Sequence, residues 1–341
     1  MTWIVCATSF ARRLDSSGQV ETGASIVIAT RNRAGMLADT LDDLLAQRYP
    51  ADSFEILVVD DDSTDGTAQV VQERANRGAG PAIQYLQQAR RGPSSARNEG
   101  IRLSHNPLIV FVDDDVRIPI EWLHRFIAAA ARHPDTDCLA GRVALSLEGS
   151  KPHMCGNESW GESEVQQGEV DKPAILDGVA AANMLVRRSA FDRAGLFLED
   201  IPVYGEETEW VHRLRSHGGQ VTYVADVCLW HRRSKEQLRV TKLLQNRYQR
   251  GRSWPRIAPY IRRDVSFGEA IGRVLRGMGH FIGKRCWAGA LDAAYGSGYA
   301  RETVALIIKG QGSGYVRWSP RDAGARLRNR LFMGAKNDGK R

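Results

Sequence analysis

Two short apolar runs in this chain each break off in three consecutive aspartates. Ile56-Leu57-Val58-Val59 ends at Asp60-Asp61-Asp62, and Leu108-Ile109-Val110-Phe111-Val112 ends at Asp113-Asp114-Asp115. Runs of four or five branched apolar residues read as buried strands of a parallel sheet. In open α/β sheets, ligands sit outside the carboxyl ends of such strands. Six carboxylates crowded there repel one another unless some of them meet a cation, a polar ligand or a helix N-terminus. The pattern therefore points to a divalent metal and to something the metal neutralises, a phosphate-bearing substrate being the natural candidate.

The 341 residues suffice for one large domain and a smaller one. A hydrophobic content of 43% with 26% charged residues is ordinary for a soluble globular protein. The five cysteines, Cys6, Cys138, Cys155, Cys228 and Cys286, are odd in number and lack metal-type spacing, so free thiols in a reducing, cytoplasmic compartment are expected. Residues 1–22 read as a loose leader without the charged start and long apolar run of a signal peptide. No stretch approaches 18 uncharged apolar residues, which argues against a membrane-spanning helix. The net charge of +7 conceals a split. From His231 onward there are 25 Lys/Arg against 7 Asp/Glu (+18), whereas the first 230 residues hold 22 against 33 (−11). An acidic half that binds metal and a basic half that meets a polyanion or an anionic membrane would account for it.

Along the chain, strands are expected at 25–30, 55–59 and 108–112, with a weaker one at 83–86. Helices are expected around 36–45, 67–77, 94–103 and 121–132. Met36, Leu37, Thr40, Leu41, Leu44 and Leu45 carry the amphipathic spacing of the first helix, and Ser63 and Asp65 supply capping oxygens for the second. Strands alternating with helices indicate a mostly parallel α/β sheet flanked by helices. Residues 146–175 read as polar loops. Regular segments return at 179–187 and 206–217, and 221–229 reads as a strand. The last hundred residues are basic and helix-like.

These blocks together resemble family 2 glycosyltransferases and their GT-A, Rossmann-like nucleotide-diphospho-sugar-binding fold. The matching segments are Ser25-Ile26-Val27-Ile28-Ala29-Thr30-Arg31-Asn32-Arg33, then Val58 to Thr67 with Asp60-Asp61-Asp62, then Gly92-Pro93-Ser94-Ser95-Ala96-Arg97-Asn98-Glu99-Gly100, then Phe111-Val112-Asp113-Asp114-Asp115. A later segment, Gly205-Glu206-Glu207-Thr208-Glu209-Trp210, resembles the family's acidic catalytic motif. The blocks lie in the family's order over roughly residues 23–233, a catalytic domain of 23–235, with 236–341 as a basic helical region.

The resemblance implies transfer of one sugar from a nucleotide-sugar donor. Asp113-Asp114-Asp115 resembles the DXD motif, so Asp115 and Asp113 would ligate Mg²⁺ or Mn²⁺, joined by His231. Asp60 would accept a hydrogen bond from the nucleobase, with Ala29, Thr30, Arg33 and Arg97 beside base and phosphates and Asp114 at the same rim. Asp62 stands where the family most often has glycine, and either faces away or helps bind the ion. Asn183 would lie beside donor sugar and acceptor. Glu207, or Glu206 next to it, would be the base that takes the proton of the acceptor hydroxyl.

The processive synthases of this family carry Gln-x-x-Arg-Trp among membrane helices. Here Gln249-Arg250-Gly251-Arg252-Ser253-Trp254 has one residue inserted, which favours a distributive enzyme with Trp254 as an acceptor-stacking residue. The acceptor would be a glycan or a lipid-linked sugar. The apolar stripe Phe267, Ile271, Val274, Leu275, Met278, Phe281 and Ile282, near Arg273, Arg276 and Lys284, would either lie in the interface of the inner membrane face or pack on the rest of the protein. Nucleic-acid binding has no motif in its favour. Two other enzyme classes place aspartates after such strands. A sugar-phosphate nucleotidyltransferase would need a Gly-rich loop where Thr30-Arg31-Asn32-Arg33-Ala34-Gly35 stands. An aspartyl-nucleophile phosphatase would want Thr or Val where Arg117 stands. A non-catalytic protein of the same fold would not need both acidic blocks intact.

Overall fold

The computed structural model describes residues 23–150 except 79, then 152, 172–173, 180–201, 204–260 and 264–309. The expected leader, 1–22, and most of the expected loop region lie outside the described residues. The chain forms two compact units, divided at Ser234/Lys235, with 201–205 grouped with the second.

The first unit begins β1 (Ala24–Thr30), α1 (Ala34–Leu45), β2 (Phe54–Asp61), α2 (Thr67–Ala75), β3 (Ala82–Gln88), α3 (Pro93–Leu103) and β4 (Leu108–Asp113). It continues with β5 (Val116–Arg117), α4 (Trp122–Arg132), β6 (Cys138–Leu147), β7 (Lys172–Pro173), β8 (Asn183–Arg187), α5 (Arg188–Ala194), α6 (Glu206–Ser216) and β9 (Val221–Arg233). The strands build one sheet in the order β3-β2-β1-β4-β8-β6-β9-β5, with β7 beside β9. Its first four strands run parallel, as the alternation of strand and helix requires. Beyond them the sheet becomes mixed, because β8 lies antiparallel to both β4 and β6 while β6 and β9 are parallel.

Strand register places the acidic ends. β1 lies between β2 and β4, with Thr30 opposite Asp60 and Ala29 opposite Asp113. Both aspartate triplets therefore emerge at one edge, on either side of the end of β1.

Alternate residues of the strands face two cores. Ile26, Ile28, Ile56, Val58, Val110 and Val112 pack with Leu37, Leu41, Trp122 and Phe126 on one side. Val27, Leu57, Ile109 and Phe111 pack with Phe191, Phe197 and Trp210 on the other. The aromatic rings of that second layer meet at centroid distances of 5.0–6.2 Å. This layer holds α6, because Trp210 is fully buried and donates to the Gly195 carbonyl at 2.8 Å.

The second unit contains α7 (Val240–Ile257), α8 (Phe267–Lys284) and α9 (Trp287–Ile308). Here α9 touches both other helices with almost no side chain between. A Cβ on Gly251 would lie 2.0 Å from the Tyr295 carbonyl oxygen, and one on Gly277 would lie 2.5 Å from the Gly289 oxygen. The buried Glu302 is neutralised by Arg252 and Arg256 at 3.1 and 2.7 Å. Thus Gly251 and Arg252 of the sequence similar to Gln-x-x-Arg-Trp serve helix packing. Trp254 packs against Ala258, Val265, Ala270 and Tyr299. Gly251→Ala forces α7 from α9 and should cost about 1–3 kcal/mol, the usual range for overpacking a tight contact. Denaturant unfolding checks this.

Candidate active site

Each residue at the sheet's acidic rim is held by a short local reason. Asp61 accepts backbone N–H bonds from Arg91 and Gly92 at 2.7 and 3.0 Å, fixing the loop before α3. Asn32 and Asp62 take positive φ angles of 52° and 68°, a conformation that Asn and Asp tolerate better than other side chains bearing a Cβ. That conformation explains a family glycine at position 62. Asp62 is exposed there and is not part of the group formed by Asp113, Asp115 and His231. Asp65 accepts from the backbone N–H of Thr67 at 3.1 Å and so caps α2, as the sequence suggested.

Asp113, Asp115 and His231 converge, their ligand atoms all within 4.8 Å of one another. β5 accounts for this, because Val116 pairs with His231 across the antiparallel β5–β9 ladder and brings the imidazole against the residue before it. His231 Nε2 lies 2.7 Å from Asp115 Oδ1 and 3.8 Å from Asp113 Oδ2. Asp115 Oδ2 accepts from Arg33 at 2.8 Å and from Arg233 at 3.4 Å. Burial disfavours ionised Asp115, yet His231, then Arg33 and Arg233, hold its carboxyl well below the usual range. Burial likewise lowers the His231 pKa, but the hydrogen bond and charge of Asp115 outweigh it and raise the value overall.

Donor chemistry and spacing fit a divalent cation. Two carboxylates and an imidazole suit Mg²⁺ or Mn²⁺. The 4.8 Å limit is little more than twice a metal–oxygen bond of about 2.0–2.1 Å. One oxygen of Asp115 faces the His231 imidazole and the other faces Arg33 and Arg233.

Asp114 has a different job. It is buried, accepts from Thr30 Oγ1 at 2.7 Å and from Arg33 at 2.8 Å, and burial pushes its carboxyl up to about 6 against the pull of Arg33. Asp114 and the Thr30 hydroxyl are thus engaged with each other, behind the rim, which corrects the expectation that they face a nucleotide. Asn183 is corrected in the same way. It is fully buried, accepts from Trp122 Nε1 at 2.9 Å and donates to the carbonyls of Arg142 and Val227 at 2.8 and 3.0 Å. It ties β8 to β6 and β9 and has no donor left for a ligand. Ala29, half-buried at the end of β1, does lie at the rim. Trp254 belongs to the second unit and is not part of this cluster.

Arg97 joins the two acidic motifs. Its buried guanidinium donates to Glu206 Oε1 at 2.5 Å and to Asp113 Oδ1 at 3.2 Å. Burial lowers the Arg97 pKa, but Glu206, Asp113 and Glu207 together outweigh it and raise the value. Glu206 is thereby clamped. Glu207 beside it has a buried Oε2 with no hydrogen-bond partner among the described residues. Burial first, and the charge of Glu206 second, push the Glu207 carboxyl up to about 8 despite Arg97. The two neighbouring glutamates thus differ in their partners, since Arg97 pairs with Glu206 and not with Glu207.

On the other side of β1, Asp60 accepts from the Ser63 backbone N–H at 2.8 Å and from the Tyr85 hydroxyl at 2.7 Å. Sequence reasoning missed Tyr85, which stands on the strand read as weak, and Arg233, whose only signal was its place two residues after His231.

A mixed sheet whose parallel half carries acidic side chains at its carboxyl edge, with a helix of glutamates beside them, defines an α/β nucleotide-sugar-binding fold of the GT-A kind. The chain belongs to glycosyl transferase family 2, whose family model matches residues 25–195. It is similar to glycosyltransferase AglE of Haloferax volcanii, 25% identical over 61% of this chain and 66% of that one. It is also similar to validoxylamine A glucosyltransferase of Streptomyces hygroscopicus subsp. jinggangensis, 29% identical over 58% and 52%. The alignments thus span half to two thirds of these relatives' lengths. In fold it resembles the mannosyltransferase PcManGT of Pyrobaculum calidifontis, solved with GDP-Man and Mn²⁺. That likeness has a TM-score of 0.53 at 17% identity and covers 92% of this chain and 80% of that one.

Two stability predictions follow from the charges. Arg97→Ala leaves Glu206 buried without its counter-ion and should cost about 3–5 kcal/mol, with much of the loss recovered in Arg97→Ala/Glu206→Gln. Urea titration of the three variants checks it. Glu207 rises from 4.5 to about 8 on folding. Between those values the folded protein retains a proton that the unfolded chain has released, so stability falls as pH rises through that window. Glu207→Gln should therefore raise the melting temperature relative to wild type at pH 8 and not at pH 4.5.

Proposed function

We propose that the chain is a metal-dependent, inverting glycosyltransferase that moves one sugar from a nucleotide-sugar donor to a hydroxyl of a glycan or lipid-linked acceptor. The observation that carries this reading is the single guanidinium of Arg97 touching both Asp113 and Glu206, which sets a cation-binding group beside the Glu206–Glu207 pair. The names of the relatives support the reaction class, and Mn²⁺ in the P. calidifontis mannosyltransferase supports the choice of Mg²⁺ or Mn²⁺ as cofactor.

Asp113, Asp115 and His231 would hold the ion. When bound, it neutralises charge on the departing nucleoside diphosphate. The residues of the chain do the rest. Asp60, oriented by Tyr85 and Ser63, accepts a hydrogen bond from the donor base. Arg33, about two-fifths exposed, reaches from Asp115 toward a diphosphate at the rim. Both glutamates keep a buried Oε2 without a hydrogen-bond partner among the described residues, but Arg97 engages the other oxygen of Glu206, which leaves Glu207 as the carboxylate to take the proton of the attacking hydroxyl. Attack from the face opposite the leaving group inverts the anomeric centre. The reading includes a distributive enzyme in the cytoplasm, peripheral at the inner face of the membrane. Among the described residues no helix is long and apolar enough to cross it.

Asp115→Ala, or excess EDTA on the wild type, should abolish sugar-nucleotide turnover; full activity in either refutes the metal role. Glu207→Gln should lower kcat by about 10²–10⁴, the range for removing a general base, while the donor Kd stays within a few-fold. Because the base works deprotonated, wild-type kcat/KM should climb with pH and level off above about 8. A pH-independent rate, or an unchanged kcat in Glu207→Gln, would move the base elsewhere. A thermal-shift panel of UDP-, GDP- and dTDP-sugars with Mn²⁺ identifies the donor, since a bound ligand raises the melting temperature.

A further inference from the structure

Helix α8 presents a row of large apolar side chains to solvent. Ile271, Leu275, Met278 and Ile282 are 38, 65, 50 and 71% exposed, at spacings of four, three and four residues that place them on one face. The helix does not lack an inner face. Ala270 and Gly277 are buried, Arg273 stacks on Tyr295 of α9 and pairs with Asp292, and Phe281 packs on Trp287 at 5.0 Å. The apolar stripe recognised in the sequence is therefore divided. Its Phe281 packs on Trp287, while four of its aliphatic members form a second face that is exposed among the described residues. Gly279 and Gly283, near that face, have no atom within 4 Å of a would-be Cβ, so they do not serve internal packing.

We propose that this face lies in the interface of an anionic lipid membrane, with the axis of α8 along the surface. The proposal rests on the peripheral, membrane-associated enzyme inferred above and names the surface by which it attaches. Charge selects the occupant. On α8 and just after it, Arg276, Lys284 and Arg285 are exposed, with Glu269 the exposed acid. A second copy of the chain laid on the same face would bring together two helices that each carry Arg276, Lys284 and Arg285 against a single exposed acid, Glu269. A row of four side chains also falls well short of the roughly 20–30 residues per partner in a stable protein interface. The chain's own remaining segment, 310–341, carries eight Lys/Arg against two Asp/Glu, so its charge also disfavours covering this face. Anionic headgroups satisfy the cations, and the boundary of the acyl chains takes the stripe, as for other amphipathic helices lying in the membrane plane. The 18-residue helix lies on the surface rather than crossing it.

Flotation of the full-length protein with phosphatidylglycerol/phosphatidylcholine vesicles tests the proposal, with no donor or metal added. Wild type should float with anionic vesicles. It should bind at least ten-fold more weakly to pure phosphatidylcholine and lose most binding in 0.5 M NaCl, since lipid-surface attraction is screened. Leu275→Ser/Ile282→Ser should weaken binding about ten-fold or more with an unchanged melting temperature, and Arg276→Glu/Lys284→Glu should weaken it selectively for anionic vesicles. Wild type that stays with the soluble fraction, or a serine variant that floats as well as wild type, overturns the proposal. So does a wild-type dimer in light scattering that the serine variant converts to monomer, for then a second copy occupies the face. Donor turnover, read in solution without vesicles, reports on the catalytic reading separately. Loss of one result leaves the other standing.

Discussion

Crowding of negative charge at the carboxyl edge of the sheet is the constraint on which this architecture turns. Register across β1 sets the ends of β2 and β4 one strand apart on either side, and α6 adds two glutamates. Like charges so placed would oppose folding by several kcal/mol if left bare. Three arginines answer them. Arg33 lies between Asp114 and Asp115, Arg233 faces the outer oxygen of Asp115, and Arg97 spans Asp113 and Glu206. None of these arginines is adjacent in sequence to the acid it neutralises. The charge problem is local in the strands, and its solution is tertiary.

The same arrangement separates the acids by role. Asp115 is held strongly ionised by His231 and the arginines, Asp114 titrates near 6 behind the rim, and Glu207 retains its proton to about 8. Burial alone would raise all three. What differs is the partners in contact: His231, Arg33 and Arg233 for Asp115, Arg33 and Thr30 for Asp114, and for Glu207 only the unbonded charge of Arg97 set against that of Glu206. A carboxyl that holds its proton weakly suits a cation, and one that holds it strongly suits proton removal near neutral pH. Arg97 maintains the distinction by pairing with Glu206 rather than with its neighbour.

Much of the first unit was legible because its signals are local. Uninterrupted branched runs marked β1, β2 and β4, and the triplets at their ends marked the rim. The antiparallel insertion of β8 was not legible, since Val179–Arg187 reads the same in either direction and its partner is chosen by packing. Site residues divided along the same line. Asp113, Asp115 and His231 converge as expected. Thr30, Asp114 and Asn183 are polar residues at or near strand ends, like true ligand-binding residues, and only their neighbours reveal that their bonds are directed inward. Asp62 departs from the family's glycine yet keeps the left-handed backbone that glycine would supply, which sequence alone did not show. Trp254 lay in a sequence similar to a known motif, yet Gly251, three residues before it, is required by the close approach of α9.

The second unit meets the opposite excess. From Lys235 onward the chain carries 23 Lys/Arg against 7 Asp/Glu, a surplus of 16 positive charges, and Glu302 neutralises two of the arginines, Arg252 and Arg256, inside the helical packing. Inside the first unit arginines have acids to bind; the second has too few acids, and most of its cations among the described residues are exposed. Solvated cations alone are unremarkable and cost little. Placed beside a row of exposed Ile, Leu and Met, they are not neutral to what comes near, because apolar surface gains by leaving water only where a partner also tolerates positive charge. A bilayer with anionic headgroups meets both conditions at once, whereas a protein surface would need an acidic rim around an apolar groove.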